Sequence, residues 1–377
     1  MKFKVLLLLL LCVLTELFGQ KRDSGKSFFL FVGTYTTSGK NYGIFIYEFD
    51  PVTGEAELKS NTAGEENPSF FAFNSDGSVV YFVNEVKNGN ISSFKFNKIT
   101  GELTFLNRVM SGGENPCFIE AGPGNKHIFV GNYGSGTLSA VPLNEDGTLR
   151  TEIQTIRHEG YSIDKARQSS PHVHATVLSP DKQFLLVPDL GTDRLYVYAY
   201  NPDNLLNPLT PANKPYFETK PGSGPRHLAI HPDSRHLYLI HELMGVISVF
   251  DYKSGILTEK QSISILSSDF NGRIGAADIH VSPDGKFLYG SNRGDANDLA
   301  IFSIKKDGTL VHIGNQPTLG KMPRNFVIDP TGNFLLVGNQ ASNEIVIFKR
   351  NRKTGTLKPL EKKIEITRPV CLKFAPL

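Results

Sequence analysis

The chain contains 377 residues, of which 40% are hydrophobic and 20% are charged, a balance that allows a sizeable core and excludes intrinsic disorder. The formal net charge of +3 is too close to neutral to indicate a nucleic acid or an acidic membrane surface as the partner. The combination of 35 Gly, 22 Pro, 26 Phe and 13 Tyr with no Trp is typical of many short strands, and it excludes long helical bundles and coiled coils.

The first nineteen residues have the pattern of an export signal. Lys2 and Lys4 give a positive start, and Val5–Leu14 is an apolar stretch of ten residues, which is too short to span a bilayer. Large residues precede Gly19 where small ones are preferred, so the position of cleavage stays open. We expect residues 1–19 to be a signal peptide and the mature protein to be exported to the periplasm, without stable membrane insertion. If this segment is not a signal, the protein is cytoplasmic.

Beyond this segment the chain has two cysteines, Cys117 and Cys371. Two cysteines are too few for a disulfide framework or a structural zinc site. They could pair with each other in an oxidising compartment, but sequence spacing does not establish a bond. The pattern favours two small core residues within strands.

An internal repeat determines the architecture of the remaining chain. The clearest copies are Pro225–Pro232 (PRHLAIHP) and Pro323–Pro330 (PRNFVIDP), and Pro116–Pro123 and Pro369–Pro376 keep the same spacing. With three looser copies, the repeats begin at positions 68, 116, 173, 225, 276, 323 and 369, which lie 46 to 57 residues apart. Each complete copy contains a strand, a turn, a second strand ending in Asn, Asp or His, and then a third and a fourth strand.

Four short antiparallel strands every ~50 residues are typical of the blades of a β-propeller. The last copy stops after its first strand, and the strands expected at Phe28–Gly33 and Gly43–Asp50 would supply the rest of that blade. We therefore predict an all-β fold, a seven-bladed β-propeller with four-stranded antiparallel blades, whose ring is closed by N-terminal strands that complete the last blade. Residues 20–377 would form this single domain, and a closed ring gives no reason to expect more than a monomer.

The blade pattern also predicts which residues meet at the centre of the ring. In an antiparallel pair, the start of the first strand and the end of the second lie at the same edge, so these positions from every blade converge on one mouth of the channel. The strand-start positions are Ser69, Cys117, His174, Arg226, Ala277, Arg324 and Val370. The strand-end positions are Asn84-Glu85, Asn132-Tyr133, Asp189-Leu190, His241-Glu242, Asn292-Arg293 and Asn339-Gln340.

This mouth contains more charged and titratable residues than folding requires. The guanidinium groups of Arg226, Arg293 and Arg324 could bind a carboxylate or a phosphate. His174 and Glu242 could transfer protons, and the surrounding cations would keep Glu242 ionised. The mouth is therefore predicted to bind a small polar anion.

Several of these residues also have a purely structural interpretation. The repeated strand-end Asn residues could cap turns, and Arg226 could form a salt bridge with Glu242 across one blade. His172 and His174 lie two residues apart, a spacing that also occurs in metal sites. No cysteine or third histidine obviously joins them in the sequence, so we predict no metal site.

Other motifs are not expected to carry chemistry. His231, His236 and His280 fall in predicted turns or outer strands, where we expect no special role. The glycine-rich stretch Gly131–Gly136 is not followed by a predicted helix, so it is interpreted as a turn and not as a phosphate-binding loop. The sequence has neither a nucleophile elbow nor an HExxH motif, which argues against ordinary serine esterases and zinc proteases.

Taken together, these residues resemble the propeller lactonase family, which includes bacterial 6-phosphogluconolactonase of the propeller type and fungal carboxymuconate lactonizing enzyme. The resemblance covers Phe28 to Pro376. The motifs are Arg167-Gln168, Pro171-His-Val-His174, Gly224-Pro-Arg-His227, His241-Glu242, Ile279-His280 and Ser291-Asn-Arg-Gly294. The resemblance implies that the catalytic residues are His174, Arg226, Glu242 and Arg293, the same four that the repeat positions indicate.

The resemblance further implies hydrolysis of a sugar-acid lactone, with 6-phosphoglucono-1,5-lactone as the first candidate and no cofactor. In this hypothesis Arg293 or Arg226 stabilises the oxyanion, and His174, or Glu242 acting through it, draws a proton from water. The polar segment Arg157–Ser170 is expected to act as a lid over the mouth. The candidate substrate-binding residues are Asn132, Arg167, Gln168, His172, Asn292, Arg324 and Gln340.

Three alternatives stay open. A phosphorylated sugar lactone should be scarce outside the cytoplasm, so an exported protein would act on another sugar lactone. A cycloisomerase could use the same mouth to deliver a proton to a muconate. A non-enzymatic propeller could bind a protein at its rim, although unusual residues at channel-lining positions favour a small molecule.

Overall fold

The computed structural model describes residues 27–36 and 42–376, which form a ring built almost entirely of β-strands. A short 3₁₀ helix, Pro123–Asn125, lies within these ranges. In the same ranges, no helix is long and apolar enough to cross a membrane. The predicted signal peptide, residues 1–19, lies outside the described residues.

The strands follow one another along the whole described chain. In chain order they are β1 (Phe28–Thr34), β2 (Tyr42–Phe49), β3 (Ala56–Ala63), β4 (Phe70–Phe73), β5 (Val79–Asn84), β6 (Asn90–Phe96), β7 (Leu103–Met110), β8 (Pro116–Ala121), β9 (His127–Asn132), β10 (Thr137–Pro142), β11 (Gln154–Arg157), β12 (Val177–Leu178), β13 (Phe184–Asp189), β14 (Arg194–Tyr200), β15 (Leu209–Glu218), β16 (Pro225–Ile230), β17 (His236–His241), β18 (Val246–Lys253), β19 (Ile256–Ser264), β20 (Ala276–Val281), β21 (Phe287–Asn292), β22 (Asp298–Ile304), β23 (Leu310–Pro317), β24 (Pro323–Ile328), β25 (Phe334–Asn339), β26 (Glu344–Arg350), β27 (Leu357–Glu365) and β28 (Pro369–Phe374).

These strands form seven four-stranded antiparallel sheets, the blades of the ring. Blades 1 to 6 take their strands consecutively, from β4–β7 to β24–β27, and blade 7 combines β28 with β1–β3. The first strands of neighbouring blades contact one another, so they line the central channel. In blade 7, β1 pairs with β28 through Val32 and Leu372, among other residues. The predicted seven-bladed ring and its closure by N-terminal strands are therefore confirmed.

The turn between the first and second strands shows how the repeat encodes a blade. In blade 3, Ser179 Oγ donates a hydrogen bond to Asp181 Oδ1 (2.6 Å) and accepts one from the backbone N–H of Phe184 (3.0 Å). Side chains that bond the nearby backbone in this way fix a tight turn and start the next strand in register. The corresponding residues of blade 5 make the same contacts: Ser282, Asp284 and Phe287.

Packing between blades uses the same repeat. The Phe that starts the second strand lies against the glycine in the last turn of the next blade, as Phe184 does with Gly255. A Cβ atom on Gly255 would lie 2.7 Å from the Phe184 ring, and this glycine has a φ of +79°, so both space and backbone require glycine. Apolar side chains of facing sheets fill the remaining space and form the core between blades.

The two cysteines of the described ring are buried and free. Cys117 lies in β8 and Cys371 in β28, so both are core residues of first strands. Burial raises the pKa of each thiol, which keeps it protonated at neutral pH. The interpretation as small core residues is confirmed.

Candidate active site

Blades present residues to the mouth through β-bulges at the start of their first strands. In blade 4, the pairing register shifts by one residue between Pro225 and His227, so Arg226 is an extra residue in the ladder. The same shift makes Arg324 the extra residue in blade 6 and Cys117 the extra residue in blade 2. A bulge redirects the side chain of the extra residue, and bulges are common beside active sites.

The ends of the second strands complete the mouth. Successive side chains of a strand point to opposite faces, so neighbouring residues at a strand end have different environments. In blade 4, His241 bonds to Ser248 within its own blade, whereas Glu242 meets arginines at the mouth. In blade 2, Asn132 likewise bonds within its blade, whereas Tyr133 contacts mouth histidines. In these two blades the second residue of the pair is therefore the one that reaches the channel.

The centre of the mouth is the carboxylate of Glu242, which three guanidinium groups bind. Arg226 Nε lies 2.9 Å from Oε2, and Arg293 Nη2 lies 2.8 Å from the same oxygen. Arg167 Nη2 lies 2.7 Å from Oε1, and His174 Nε2 lies 3.9 Å from Oε2. The structure thus brings together the four predicted catalytic residues and Arg167 in one cluster, a larger assembly than a salt bridge across one blade.

Burial and charge set the protonation of the two groups that could transfer a proton. Burial opposes ionisation of Glu242, but the guanidinium groups of Arg293 and Arg226 outweigh it and hold the pKa of this carboxyl well below its usual range. Burial, together with the charge of Arg226, holds the pKa of His174 well below its usual range. At neutral pH Glu242 is a fixed anion, whereas His174 is uncharged. His174 is therefore the group of this pair that can accept a proton.

The surroundings of His174 orient its ring. Nδ1 lies 3.8 Å from the sulfur of Cys117, and the rings of Tyr133 and His227 stand edge-on at 5.3 Å. Because the Cys117 thiol stays protonated, it is not a nucleophile at neutral pH. The packing leaves Nε2 of His174 facing Glu242.

A buried acid that the sequence analysis missed, Asp278, holds the far side of Arg226. Asp278 Oδ1 lies 2.8 Å from His227 Nδ1, and His227 Nε2 lies 3.1 Å from Arg226 Nη1. Burial lowers the pKa of His227 to about 3, so the ring is neutral: Nδ1–H donates to Asp278, and Nε2 accepts from Arg226. Asp278 Oδ2 accepts a hydrogen bond from Asn325 Nδ2 (2.5 Å) and lies 2.9 Å from Nε2 of His280. His280 thus has a place in the network, although the sequence indicated none.

A sequence signal for this network exists in the repeat. The third position of each copy is polar in three consecutive blades, where it is His227, Asp278 or Asn325. In other copies the same position is apolar, as in Phe118. A polar residue in a buried first strand needs a partner, so three in a row indicate a hydrogen-bond chain across blades.

On another side of the channel, Arg324 meets a second carboxylate. Arg324 Nη2 lies 3.8 Å from Glu85 Oε2, and the hydroxyl of Tyr35 donates a hydrogen bond to the same oxygen (2.8 Å). The Arg324 guanidinium also lies over the Tyr35 ring, 5.3 Å from its centroid. A cavity of about 10 Å³ between Arg226 and Arg324 has room for one water molecule. Arg324 therefore lines the channel beside the Glu242 cluster.

The segment between β11 and β12, which the sequence predicts to be a lid, carries Arg167 to the mouth. Gln168 Nε2 donates to the Leu190 carbonyl (2.8 Å), which ties the segment to the end of blade 3. His172 Nδ1 lies 2.9 Å from the Tyr133 carbonyl, and the two rings stack at 4.4 Å. Gln168 and His172 therefore fix the loop that holds Arg167, and a lid movement stays a prediction.

Three further predicted substrate-binding residues, Asn132, Asn292 and Gln340, lie outside the Glu242 cluster. Asn292 Oδ1 accepts the backbone N–H of Gly275 (3.0 Å), so this side chain, like that of Asn132, stabilises its own blade. Gln340 follows the second strand of blade 6, and within the described part of the chain its Oε1 has no hydrogen-bond partner. Contact of these residues with a substrate stays a prediction.

The fold and the mouth define a class of protein: a seven-bladed propeller with a buried polar site for a small molecule at one end of its channel. Residues 29–374 match the model of the family described as Lactonase, 7-bladed beta-propeller. The chain belongs to this family, which confirms the resemblance seen in the motifs.

Relatives of this chain have names that bear on its chemistry. The 6-phosphogluconolactonase of Formosa agariphila is 37% identical over 89% of this chain and 96% of that protein. The 6-phosphogluconolactonase of Bacillus subtilis is 33% identical over 91% of this chain and 97% of that protein. The solved structure of a periplasmic gluconolactonase from Pseudomonas aeruginosa is 34% identical, has a TM-score of 0.89, and covers 93% of this chain and 99% of that chain.

Proposed function

We propose that this chain hydrolyses the 1,5-lactone of a sugar acid at the Glu242 cluster, with 6-phosphoglucono-1,5-lactone as the leading substrate and 6-phosphogluconate as the product. The observation that carries the proposal is the uncharged His174 beside a carboxylate held by three arginines. A neutral base and fixed cations are what the attack of water on an ester carbonyl requires. The names of the relatives from Formosa agariphila and Bacillus subtilis support this substrate. The protein acts as a monomer on this small anionic lactone.

In the first step, His174 accepts a proton from water as the water oxygen bonds to the lactone carbonyl carbon. The carbonyl π electrons move to the carbonyl oxygen, which becomes an oxyanion. Arg293 is the best placed donor to this oxyanion, because its side chain is 13% exposed whereas that of Arg226 is 1% exposed. Glu242 already orients the Arg293 guanidinium, so little reorganisation is needed as charge develops.

In the second step, the oxyanion collapses and the bond between the carbonyl carbon and the ring oxygen breaks. The ring oxygen takes the proton from His174, which returns to its neutral form. One water is consumed, and the product carries a carboxyl group and a hydroxyl group. Glu242 stays ionised throughout and acts as a positioning residue for the arginines.

Arg167 is the proposed contact for an anionic group of the substrate. Its side chain is 42% exposed, the most accessible of the three guanidinium groups on Glu242. Guanidinium groups bind phosphate through paired hydrogen bonds. Arg167→Ala should therefore raise the KM for the phosphorylated lactone more than the KM for gluconolactone.

The proposal is tested by acid release at constant pH, with 6-phosphogluconolactone and gluconolactone as parallel substrates. Arg293→Ala should lower kcat by about 10²–10³-fold, because one oxyanion donor is removed. The matched control is Arg273→Ala, an exposed arginine of the same blade that pairs with Asp295, and it should keep full activity. Wild-type rates no higher than spontaneous hydrolysis on both lactones would overturn the proposal.

A second candidate is an exported enzyme for an unphosphorylated sugar lactone. The periplasmic gluconolactonase from Pseudomonas aeruginosa and the signal-like pattern of residues 1–19 favour it. In this version residues 20–377 form the mature enzyme in the periplasm. Activity on gluconolactone alone, with the protein recovered in the periplasmic fraction and starting after residue 19, would select this candidate. Preference for the phosphorylated lactone and a cytoplasmic location would select the first.

A further inference from the structure

A cluster of two histidines and an aspartate lies on the face of the ring opposite the mouth. It occupies the turn between β16 and β17 in blade 4, and its members are His231, Asp233 and His236. One ligand atom from each residue lies within 4.8 Å of the other two. Because the mouth is formed where β16 starts and β17 ends, this turn is at the other end of the same strands. The cluster is therefore separate from the proposed lactone chemistry.

Both imidazole rings turn the same nitrogen toward one carboxylate. His231 Nδ1 lies 3.0 Å from Asp233 Oδ1, and His236 Nδ1 lies 2.6 Å from Asp233 Oδ2. The backbone N–H groups of Arg235 and His236 donate to Oδ1, which fixes the carboxylate in the turn. The backbone N–H of Asp233 also donates to His231 Nδ1 (3.2 Å), and His236 Nδ1 is hydrogen-bonded to Oδ2. A bound ion would replace these contacts at Oδ2 and the two Nδ1 atoms.

The opposite nitrogen of each ring also has a partner. His231 Nε2 lies 2.9 Å from the Gly285 carbonyl, which can only accept, so Nε2 carries the proton and Nδ1 has its lone pair in the neutral ring. His236 Nε2 lies 3.4 Å from Asp251 Oδ1. Histidines that bind a metal characteristically direct their other ring nitrogen to a carbonyl or a carboxylate. Both rings therefore have the outer partners of a metal ligand.

The other blades show that folding does not require these histidines. The first turn position is Ser179 in blade 3 and Ser282 in blade 5, where blade 4 has His231. The residue that starts the second strand is Phe in three other blades, where blade 4 has His236: Phe184, Phe287 and Phe334. His236 nevertheless keeps the structural contact of those residues, since it lies against a turn glycine of the next blade, Gly308. Blade 2 also starts its second strand with a histidine, His127, and blade 6 has Asp329 at the first turn position. Among blades 1 to 6, only blade 4 has histidine at both positions.

We propose that His231, Asp233 and His236 bind one divalent transition-metal ion of the zinc class. Two imidazole nitrogens and one carboxylate oxygen suit Zn²⁺, with a water as the fourth ligand. The cation nearest the carboxylate is Arg235, whose Nη2 lies 3.9 Å from Asp233 Oδ2; its side chain is 73% exposed and can turn into solvent. The ion ties the turn of blade 4 to Gly285 in blade 5 through His231.

The test is a calorimetric titration of the tag-free full chain with ZnCl₂. Wild-type protein should bind one Zn²⁺ at this cluster. His231→Ser and His236→Phe should each weaken that binding at least about tenfold, because a ligand is lost. Both variants place in blade 4 a residue that other blades already have there, so the ring should fold. If the His236→Phe variant does not fold, the titration of His231→Ser alone decides the result. The matched control is His312→Gln, which removes an exposed histidine outside the cluster and should leave the titration unchanged.

Two results would overturn the proposal. One is the absence of Zn²⁺ binding by the wild-type protein. The other is equal stoichiometry and affinity in wild type, His231→Ser and His236→Phe, which would assign the binding to another part of the chain. Lactone hydrolysis is measured on the same samples and should be equal in all of them, so this test is independent of the proposed function.

Discussion

The two faces of the ring are built from the same strands but follow different rules. On the face with the turns between first and second strands, contacts recur between blades: Ser179 in blade 3 and Ser282 in blade 5 make the same hydrogen bonds. At the mouth, corresponding positions differ between most blades, as Cys117, His174 and Arg226 show. Positions that repeat build the ring, whereas positions that differ build the site.

The faces also differ in how they satisfy polar groups. The repeated turns pair short side chains with the nearby backbone at the surface. The mouth instead buries full charges: the side chain of Arg226 is 1% exposed, and burial, followed by the charge of Arg293, lowers its pKa to about 10. Burying an ion pair seldom stabilises a protein more than apolar packing of the same volume would. The mouth is therefore best explained by function, and the turns that repeat between blades by folding.

Among the variants that distinguish the mouth from the turn face, Glu242→Gln is expected to have the largest effect. This change leaves three arginines around a neutral amide, so we expect the free energy of unfolding to fall by about 3–5 kcal/mol. The proposed reaction should also lose most of its kcat, because the oxyanion donor loses its anchor. Urea unfolding and acid release at constant pH measure the two effects.

The control on the turn face is Asp181→Asn. Asp181 accepts hydrogen bonds from Ser179 and Tyr252, so its loss should reduce the free energy of unfolding by only about 1 kcal/mol and leave kcat unchanged. If Glu242→Gln lowered the free energy of unfolding and kcat no more than Asp181→Asn does, the contrast between the faces would be wrong.

Asp278→Asn tests whether the mouth depends on residues behind the reacting groups. The amide can no longer hold His227 as the carboxylate does, so Arg226 loses part of its orientation. We expect kcat to fall about 10- to 100-fold with little change in KM, because small misplacements at a site cost this much. A merely structural role would instead lower the melting temperature and leave kcat of the folded enzyme unchanged. Steady-state kinetics and thermal unfolding of the same samples distinguish the two.

Ser282→Ala on the turn face is expected to have as small an effect as Asp181→Asn. The hydroxyl bonds to Asp284 and to the backbone of Phe287, so about 1 kcal/mol of unfolding free energy should be lost. The kcat value should not change, because the turn lies at the far end of β20 and β21 from the mouth. A loss of activity in this folded variant would show that the faces are coupled.

The repeat predicts the ring because each copy encodes the same local structure. The copies at Pro225 and Pro323 gave the blade spacing, and the incomplete copy at Pro369 required the N-terminal strands to close the ring. The same register predicted that Arg226 and Glu242 lie at one mouth. In the structure, Arg226 Nε lies 2.9 Å from Glu242 Oε2.

The features of the site that the repeat register did not predict depend on single-residue shifts in strand pairing and on the loop between β11 and β12. Asp278 stands at the polar third position of its repeat copy, but the bulge opposite Ser291 that places it in the hydrogen-bond chain is not visible in the sequence. Alternation of side chains likewise separates Asn292, which bonds within its blade, from Arg293, which binds Glu242. The loop that brings Arg167 to Glu242 follows no repeat, so only the motif resemblance pointed to that residue.

The central claim, that His174 is an uncharged base at the mouth, is tested most directly by the pH dependence of kcat for lactone hydrolysis. Protonated His174 cannot accept a proton, and its pKa lies well below the usual 6.5. We therefore predict a kcat that is constant from neutral pH down through 6.5 and falls only in more acidic solution, after subtraction of the spontaneous rate. His174→Ala should lower this plateau about 10²–10⁴-fold. A kcat that halves near pH 6.5, or a fully active His174→Ala variant, would contradict the account.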